Sequence, residues 1–313
     1  MNWITIFAHK RPECLYLCLE SLMNCRRIGK YSVYLAANED SSPEIPAIAK
    51  EMLTGLNYEI GIRPGWWLAN RANGEATKAG MARSDEYGIF LGEDETLSKD
   101  YLEMIESIAA ANTDQNLLSV SGRGISVPNM PTNIDPVECM IKMDFFMGIS
   151  CTMFKEPFDK YVKQYYIDDY YNGEVIKDGE RYHYVDWMAN TFPEYPFNHS
   201  LTLDGLTVRI SLRHGLYSLV SLVPRSHEIG FFGSHITSSS EVYKKLFENK
   251  TLKEKVDIMR DLINSGKIKE LFGDFASQYK ELDEDHGWKN LFVKDSVFDI
   301  KNWRLSILDD QLV

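Results

Sequence analysis

Residues Tyr87-Gly-Ile-Phe-Leu91 form an apolar, strand-like run that reaches Gly92 and then meets three consecutive acids, Glu93, Asp94 and Glu95. A helical pattern follows from Ser98 to about Ala111. A buried strand that stops at charged residues and gives way to a helix is the repeating unit of an α/β sheet. It also sets a charge problem. Like carboxylates held close together repel, and burial penalises each one. One solution is a solvated turn whose acids favour the start of the next helix. The other is a bound cation, and oxygen-rich clusters favour magnesium, manganese or calcium.

The pattern around this segment repeats. Trp3–Phe7 is strand-like, His9-Lys-Arg-Pro12 breaks it, and Pro12 suits a helix start. The helix predicted to about Cys25 carries Leu15, Leu19 and Leu22 on one face. Further strands are predicted at Tyr31–Ala36, Tyr58–Ile62 and Leu117–Val120, with helices over 46–53 and 68–83 between them. Alternation at this spacing implies crossover helices and a largely parallel sheet. After residue 120 the pattern changes. Residues 126–139 are rich in Pro and Asn, Met140–Phe154 is strand-like, and 157–184 is rich in tyrosine. Another strand is expected within Thr202–Leu212 and helix over 242–280. The simplest organisation is one α/β domain over 1–240, with halves 1–120 and 121–240, followed by a helical extension over 241–313.

Composition narrows the function. With 313 residues, 44% of them hydrophobic, the chain can bury a large core. A net charge of −12 and a pI near 5.1 argue against binding nucleic acid or membranes through bulk charge. The five cysteines show no disulfide or metal-binding spacing. Cys14, Cys18 and Cys25 read instead as small core residues, which fits a reducing, cytoplasmic setting. Residues 1–8 read as a first strand and not as a signal peptide, and no apolar run approaches the roughly 20 residues of a membrane span.

In open α/β sheets ligands bind beyond the carboxyl ends of the strands. There the sequence places His9, Lys10 and Arg11 after the first strand, Glu39 and Asp40 after the second, Arg63 after the third, and the acidic triplet after the fourth. Such a set suits a nucleotide diphosphate. Acids accept from ribose and base, and cations face the phosphates. Neither a Gly-x-Gly-x-x-Gly turn nor a Gly-Lys-Ser/Thr phosphate loop is present where dinucleotide or triphosphate binders carry them.

Several segments resemble nucleotide-sugar glycosyltransferases of the GT-A type, a Rossmann-like fold. Thr5-Ile-Phe-Ala-His-Lys-Arg-Pro12 and Cys18-Leu-Glu-Ser-Leu22 are similar to the start of these enzymes. Asn70-Arg-Ala-Asn-Gly-Glu-Ala-Thr-Lys-Ala-Gly80 is similar to their small-residue helix beside the nucleotide, and Phe90–Leu97 to their metal segment. Val185-Asp-Trp-Met188 and Pro224-Arg-Ser-His-Glu-Ile-Gly-Phe-Phe-Gly233 resemble the N-acetylglucosaminyltransferase I branch. There are two departures. Arg225 precedes Ser226 instead of following it, and Glu95 stands where that branch usually has Asp. Gly92-Glu-Asp-Glu95 is also similar to the acidic motif of a phage-type DNA-modifying group.

The resemblance implies a metal-dependent, inverting hexosyl- or N-acetylhexosaminyltransferase that uses a UDP-sugar. Mn2+ or Mg2+ would be held by Glu95 and Asp94, with His235 as a late ligand. His9, Arg11, Glu39, Asp40, Arg63, Glu93, Asp94 and Arg225 would form the nucleotide-sugar site. His227 is a further contact considered there. Asp186 would be the general base, with Asp168 and Asp169 as rivals from an aromatic-flanked acidic pair. Trp66 and Trp67 offer rings for stacking. The acceptor would be a glycan precursor or a hydroxymethylated pyrimidine in DNA. Each residue also has a plainer role: acids start helices, lone histidines pack in cores and tryptophans fill loops. A nucleotidyltransferase making nucleotide sugars, or a carbohydrate-binding protein without activity, are the competing functions.

Overall fold

The computed structural model describes residues 1–65, 67, 69–123, 140–144, 146–148, 150–171, 175–177, 180–182, 185–194, 202–221, 224–230, 244–265 and 297–299. The first half follows the expected alternation. Strand β1 (Trp3–Ala8) leads to helix α1 (Pro12–Met23), β2 (Ser32–Asn38) to α2 (Glu44–Met52), and β3 (Asn57–Arg63) to α3 (Ala69–Arg83). Then come β4 (Tyr87–Gly92), a short β5 (Glu95–Leu97), α4 (Tyr101–Ala111) and β6 (Leu117–Ser121). The later chain supplies β7 (Met140–Met143), β8 (Cys151–Phe154), β9 (Val175–Lys177) and β10 (Glu180–Tyr182). Helices α5 (Val185–Thr191) and α6 (Leu203–His214), strands β11 (Tyr217–Ser221) and β12 (Ser226–Glu228), helix α7 (Leu252–Ser265) and strand β13 (Val297–Asp299) follow.

Among the described residues nine strands form one sheet in the order β13-β7-β11-β6-β8-β4-β1-β2-β3. Strands β3, β2, β1 and β4 pair in parallel, and β6 and β11 do so further along. Strand β8 runs antiparallel to both β4 and β6, so these six parallel strands all point their carboxyl ends to one edge. The fold is therefore α/β with a large, mostly parallel central sheet flanked by helices. No helix among the described residues is long and apolar enough to cross a membrane.

Alternating side chains build the two faces. Ile4 and Ile6 of β1 point into one core with Leu15 and Leu19 of α1, Ile48 of α2 and Ile105 of α4. Phe90 of β4 points the other way, into a core with Met81 of α3, Met153, Tyr166 and Leu206 and Ile210 of α6. Helix α3 is rich in small residues because it lies close to the sheet. A Cβ on Gly80 would fall 2.2 Å from Thr5 Oγ1. Helix α7 docks Val256, Met259 and Leu262 against Cys14 and Leu17 of α1. The expected division at residue 240 falls within 231–243, outside the described residues.

One expectation needs correction. Residues 203–214 are helix, not strand. Thr202 Oγ1 accepts from the Gly205 N–H at the start, and Gly215 takes the left-handed conformation at the end, with φ 64°. These end signals and the buried Leu206–Ile210 pair outweigh the strand-like composition. Glu95 opens β5, a short strand that the sequence reading did not include. That strand pairs antiparallel with β12, Glu95 opposite Glu228.

The β5–β12 clasp rests on a fully buried ion pair. Arg225 Nε lies 3.3 Å from Asp100 Oδ2, and Arg225 Nη1 donates to Ser221 Oγ at 3.0 Å. Ser98 Oγ donates to the other Asp100 oxygen at 2.6 Å, and the Ser98 N–H donates to the Arg225 carbonyl at 2.9 Å. Removing one partner leaves a buried charge alone, which costs about 3–5 kcal/mol. Arg225→Met should lower unfolding free energy in urea by that amount. The double variant with Asp100→Leu should lose clearly less than the sum of the two single losses.

Candidate functional site

Strand β1 lies between β2 and β4: the chain crosses from β1 to β2 on one side and returns from β3 to β4 on the other, the kind of switch point beyond whose carboxyl ends open sheets bind ligands. Phe7 of β1 stands opposite Gly92 of β4, and the Glu93 N–H donates to the Phe7 carbonyl at 2.9 Å. This register delivers the acidic turn directly against His9-Lys10-Arg11. Glu93 is buried. Its Oε2 accepts the His9 backbone N–H at 2.6 Å and its Oε1 accepts Arg11 Nε at 2.9 Å. Arg11 Nη1 reaches Asp94 Oδ2 at 2.8 Å. Burial alone would lower the Arg11 pKa, but the charge of Asp94, with Glu93 behind it, more than offsets that and holds the guanidinium protonated.

The ends of β2 and β3 join the same edge. Asp40 accepts from His9 Nε2 and Lys10 Nζ, each at 3.0 Å, and these bonds hold its carboxyl below the usual range. Glu39 Oε2 accepts the Gly65 N–H at 3.1 Å, closing the Arg63-Pro-Gly turn. Arg63 is buried beneath this rim. It donates to the carbonyls of Ala36 at 2.8 Å, Ala37 at 3.4 Å and Ala72, and burial lowers its pKa to about 10. The structure thus brings His9, Arg11, Glu39, Asp40, Arg63, Glu93 and Asp94 to one edge of the sheet.

Glu95 turns the other way. It is buried, its Oε2 accepts Ser150 Oγ at 2.7 Å and its Oε1 accepts the Ser150 N–H at 3.2 Å. Ser150 presents both donors from a left-handed backbone with φ 43°, and its carbonyl accepts the Tyr101 hydroxyl at 2.9 Å. Burial pushes the Glu95 carboxyl up to about 8, with the Ser150 hydroxyl opposing and Asp94 adding to the rise.

The three acids of the turn do not converge, and His235, the third ligand expected, lies outside the described residues. Glu93 faces His9 and Arg11, Asp94 faces Arg11, and Glu95 faces Ser150. Among the described residues no three His, Cys, Asp or Glu side chains group as ligands of one metal ion. The described donors in this arrangement do not fit Mn2+ or Mg2+. The charge problem of the acidic turn has a local answer that the sequence hides: Arg11, more than eighty residues away in the chain, lies between two of the acids.

Other expectations separate in the same way. Arg225 is fully buried on Asp100, so its guanidinium belongs to the clasp and not to the nucleotide rim. His227 is buried, and desolvation lowers its pKa to about 4, so it is neutral near pH 7. His235 and Trp66 lie outside the described residues. The backbone of Asp186 is the second residue of α5, but its side chain is likewise outside the described set. Asp168 is exposed and pairs with Arg71 at 3.0 Å, and the Arg71 guanidinium stacks over Trp67 at 5.1 Å. Trp187, next to Asp186, packs on Tyr170 at 5.5 Å, so the segments of all three candidate bases share one corner.

Two residues escaped the sequence reading. Glu228 faces Glu95 across the clasp, and Arg123 forms a bridge to Ser226 beside it. Although Glu228 is exposed, the protein around it and the charge of Asp94 push its carboxyl up, against the pull of Arg123 and Arg11. The signal was present in Pro224–Gly233, where a strand-length polar run carries an acid, but its partner strand is three residues long. A separate cleft of about 530 Å³, lined by Asp85, Asp114 and Glu156 among others, opens where β4 and β6 begin, at the opposite end of the sheet.

No family model and no curated protein matches the chain by sequence. Among solved structures it is similar to residues 1–349 of S. aureus TarS in complex with UDP-GlcNAc, at 11% identity and a TM-score of 0.40, over 51% of this chain and 47% of that one. The same fragment in complex with UDP gives 12% identity and a TM-score of 0.37, over 54% of this chain and 52% of that one. A further structure of the fragment gives 12% identity and a TM-score of 0.42, over 87% of this chain and 81% of that one. The chain spans about half the length of the first two of these structures.

Glu95 makes a prediction about pH. Its ordinary value is 4.5 and its value in the fold is about 8, so between these the folded chain keeps a proton that the unfolded chain has lost. Stability from this site is complete below pH 4.5 and is lost as pH rises through about 8. Glu95→Gln keeps the Ser150 bonds and should flatten this fall. Urea unfolding from pH 5 to 9 should show the variant gaining on the native protein by a few kcal/mol, of order the pKa difference.

Proposed function

We propose that the chain is a nucleotide-sugar glycosyltransferase, moving a sugar from a nucleotide-diphosphate donor to an acceptor hydroxyl. The observation that carries this is the juxtaposition, at the β1–β4 crevice, of Arg11 with Glu93 and Asp94, flanked by Glu39, Asp40 and Arg63 from the next two strands. That edge offers acceptors for ribose and base hydrogens on the β2 side and a guanidinium beside the start of α1 for the phosphates. The amino end of a helix favours anions. The segments that resemble GT-A enzymes add to this, because Thr5–Pro12 and Phe90–Leu97 include the residues that meet there, Arg11, Glu93 and Asp94. The donor is a UDP-sugar in this reading. The acceptor is a glycan precursor or a hydroxymethylated pyrimidine.

The transfer balances as a direct displacement. The acceptor oxygen forms a bond to the anomeric carbon, and the bond from that carbon to the phosphate oxygen breaks. The nucleoside diphosphate leaves with the electron pair, and a carboxylate takes the acceptor proton. Attack opposite the leaving group inverts the configuration. Asp186 on α5 is the base we favour, with Asp168 and Asp169 next in line. The aromatic corner of Tyr170, Trp187 and Trp67 offers faces on which an acceptor ring would stack.

Incubation of the full chain with a panel of nucleotide sugars and acceptors, with release of nucleoside diphosphate measured, tests the class. A nucleotidyltransferase would instead release pyrophosphate from a nucleoside triphosphate and a sugar phosphate. A carbohydrate-binding protein would release nothing. Asp186→Asn should cut turnover by about 10²–10⁴ with donor affinity unchanged. Normal turnover in Asp186→Asn, with loss in Asp168→Asn or Asp169→Asn, would move the base to the tyrosine-rich segment.

A further inference from the structure

Arg11 holds the place at the acidic turn where a cation is needed. Nε and Nη1 belong to one planar fork and meet two different carboxylates, Glu93 Oε1 at 2.9 Å and Asp94 Oδ2 at 2.8 Å. The second Glu93 oxygen is taken by the His9 N–H. The backbone keeps the fork there. Arg11 immediately precedes Pro12, the first residue of α1, and its carbonyl accepts the Leu15 N–H at 3.0 Å. Gly230 lies over the pair so closely that a Cβ would stand 1.8 Å from Asp94 Oδ2 and 2.5 Å from Arg11 Nη1. The Ile229 N–H donates to the Asp94 carbonyl at 2.7 Å and fixes that approach. A divalent ion needs several oxygens converging at about 2.0–2.6 Å. At Glu93 and Asp94 it would first have to displace the guanidinium. Arg11 is nevertheless 25% exposed, so solvent reaches part of its side chain.

Resting on the nucleotide-sugar reading above, we propose that Arg11 takes the place of a divalent cation at this turn: it neutralises Glu93 and Asp94 and offers its exposed side to the donor diphosphate, so that nucleotide binds without metal. An Arg fork suits phosphate oxygens as well as carboxylates. Glu93 and Asp94 then act as positioning residues that aim the fork, and Gly230, lacking a Cβ, leaves room for it.

Calorimetry of the full chain with UDP, in EDTA and in Mn2+, tests this first. Equal affinity in the two buffers is expected, and loss of binding in EDTA would overturn the proposal. Paramagnetic resonance with Mn2+ alone tests it without nucleotide. The native chain should leave Mn2+ free at protein-equivalent concentration, whereas Arg11→Ala, with its carboxylates uncompensated, should bind Mn2+ at least about tenfold more tightly, within the usual range of coupling between sites. Tight Mn2+ binding by the native chain, or no gain in a folded Arg11→Ala, would overturn it. If Arg11→Ala does not fold, Arg11→Lys keeps the charge without the fork and should weaken UDP binding in EDTA by about tenfold; unchanged binding would overturn the proposal. If UDP binds the native chain in neither buffer, the nucleotide reading fails, while the Mn2+ comparison still decides who holds the cation position.

Discussion

Strands β1 and β4 pair in parallel with Phe7 opposite Gly92, and that register presses Glu93 and Asp94 against the residues that leave β1. Two unit charges about 4 Å apart at an effective dielectric of 20 interact by about 4 kcal/mol. Such a term is a large share of the 5–15 kcal/mol typical of a whole domain. Left alone, the two neighbouring acids would repel each other within the turn. With Arg11 between them the same term works for the fold. Much of the local geometry follows from that need. His9 turns its N–H toward Glu93, Pro12 starts α1 directly behind the fork, and residue 230 has no side chain.

The third acid is handled by a different rule. Among the described residues no cation pairs with Glu95; burial raises its carboxyl and Ser150 supplies two hydrogen bonds. Neutralisation by protonation and neutralisation by pairing thus stand side by side within one turn. The clasp of β5 with β12 is where this matters, because Arg225 and Asp100 bury a compensated charge a few residues away. Chain segments from the second half are thereby tied to the acidic turn.

On the other face of the sheet, α3 is thin by composition. Gly74 meets the Tyr171 hydroxyl so closely that a Cβ would fall 2.3 Å from it. Small residues there let the tyrosine-rich segment approach, and Arg71 spans the gap, stacking on Trp67 and pairing with Asp168. The nucleotide side and the aromatic side of the proposed site are therefore held by one helix, which gives α3 a reason to be rich in Ala and Gly beyond helix propensity.

Strands β1, β2, β3, β4 and β6 were legible because period-two and helical patterns are local, and an apolar run that ends in Gly, Pro or acids marks its own boundary. The position of His9, Arg11, Asp40, Arg63 and Glu93 at one edge followed from that alternation alone, since parallel strands must end together. The helix at 203–214 was missed because its core face is sparse and its ends are set by Thr202 and Gly215. What only the tertiary structure decided is the direction of each charged side chain. Arg11 and Glu93 are 82 residues apart, Glu95 and Ser150 are 55, and Asp100 and Arg225 are 125. No pattern along the chain says which acid will find a guanidinium, which a hydroxyl and which a buried ion pair. Charges are compensated by neighbours in space, and those neighbours exist only once the strands have paired.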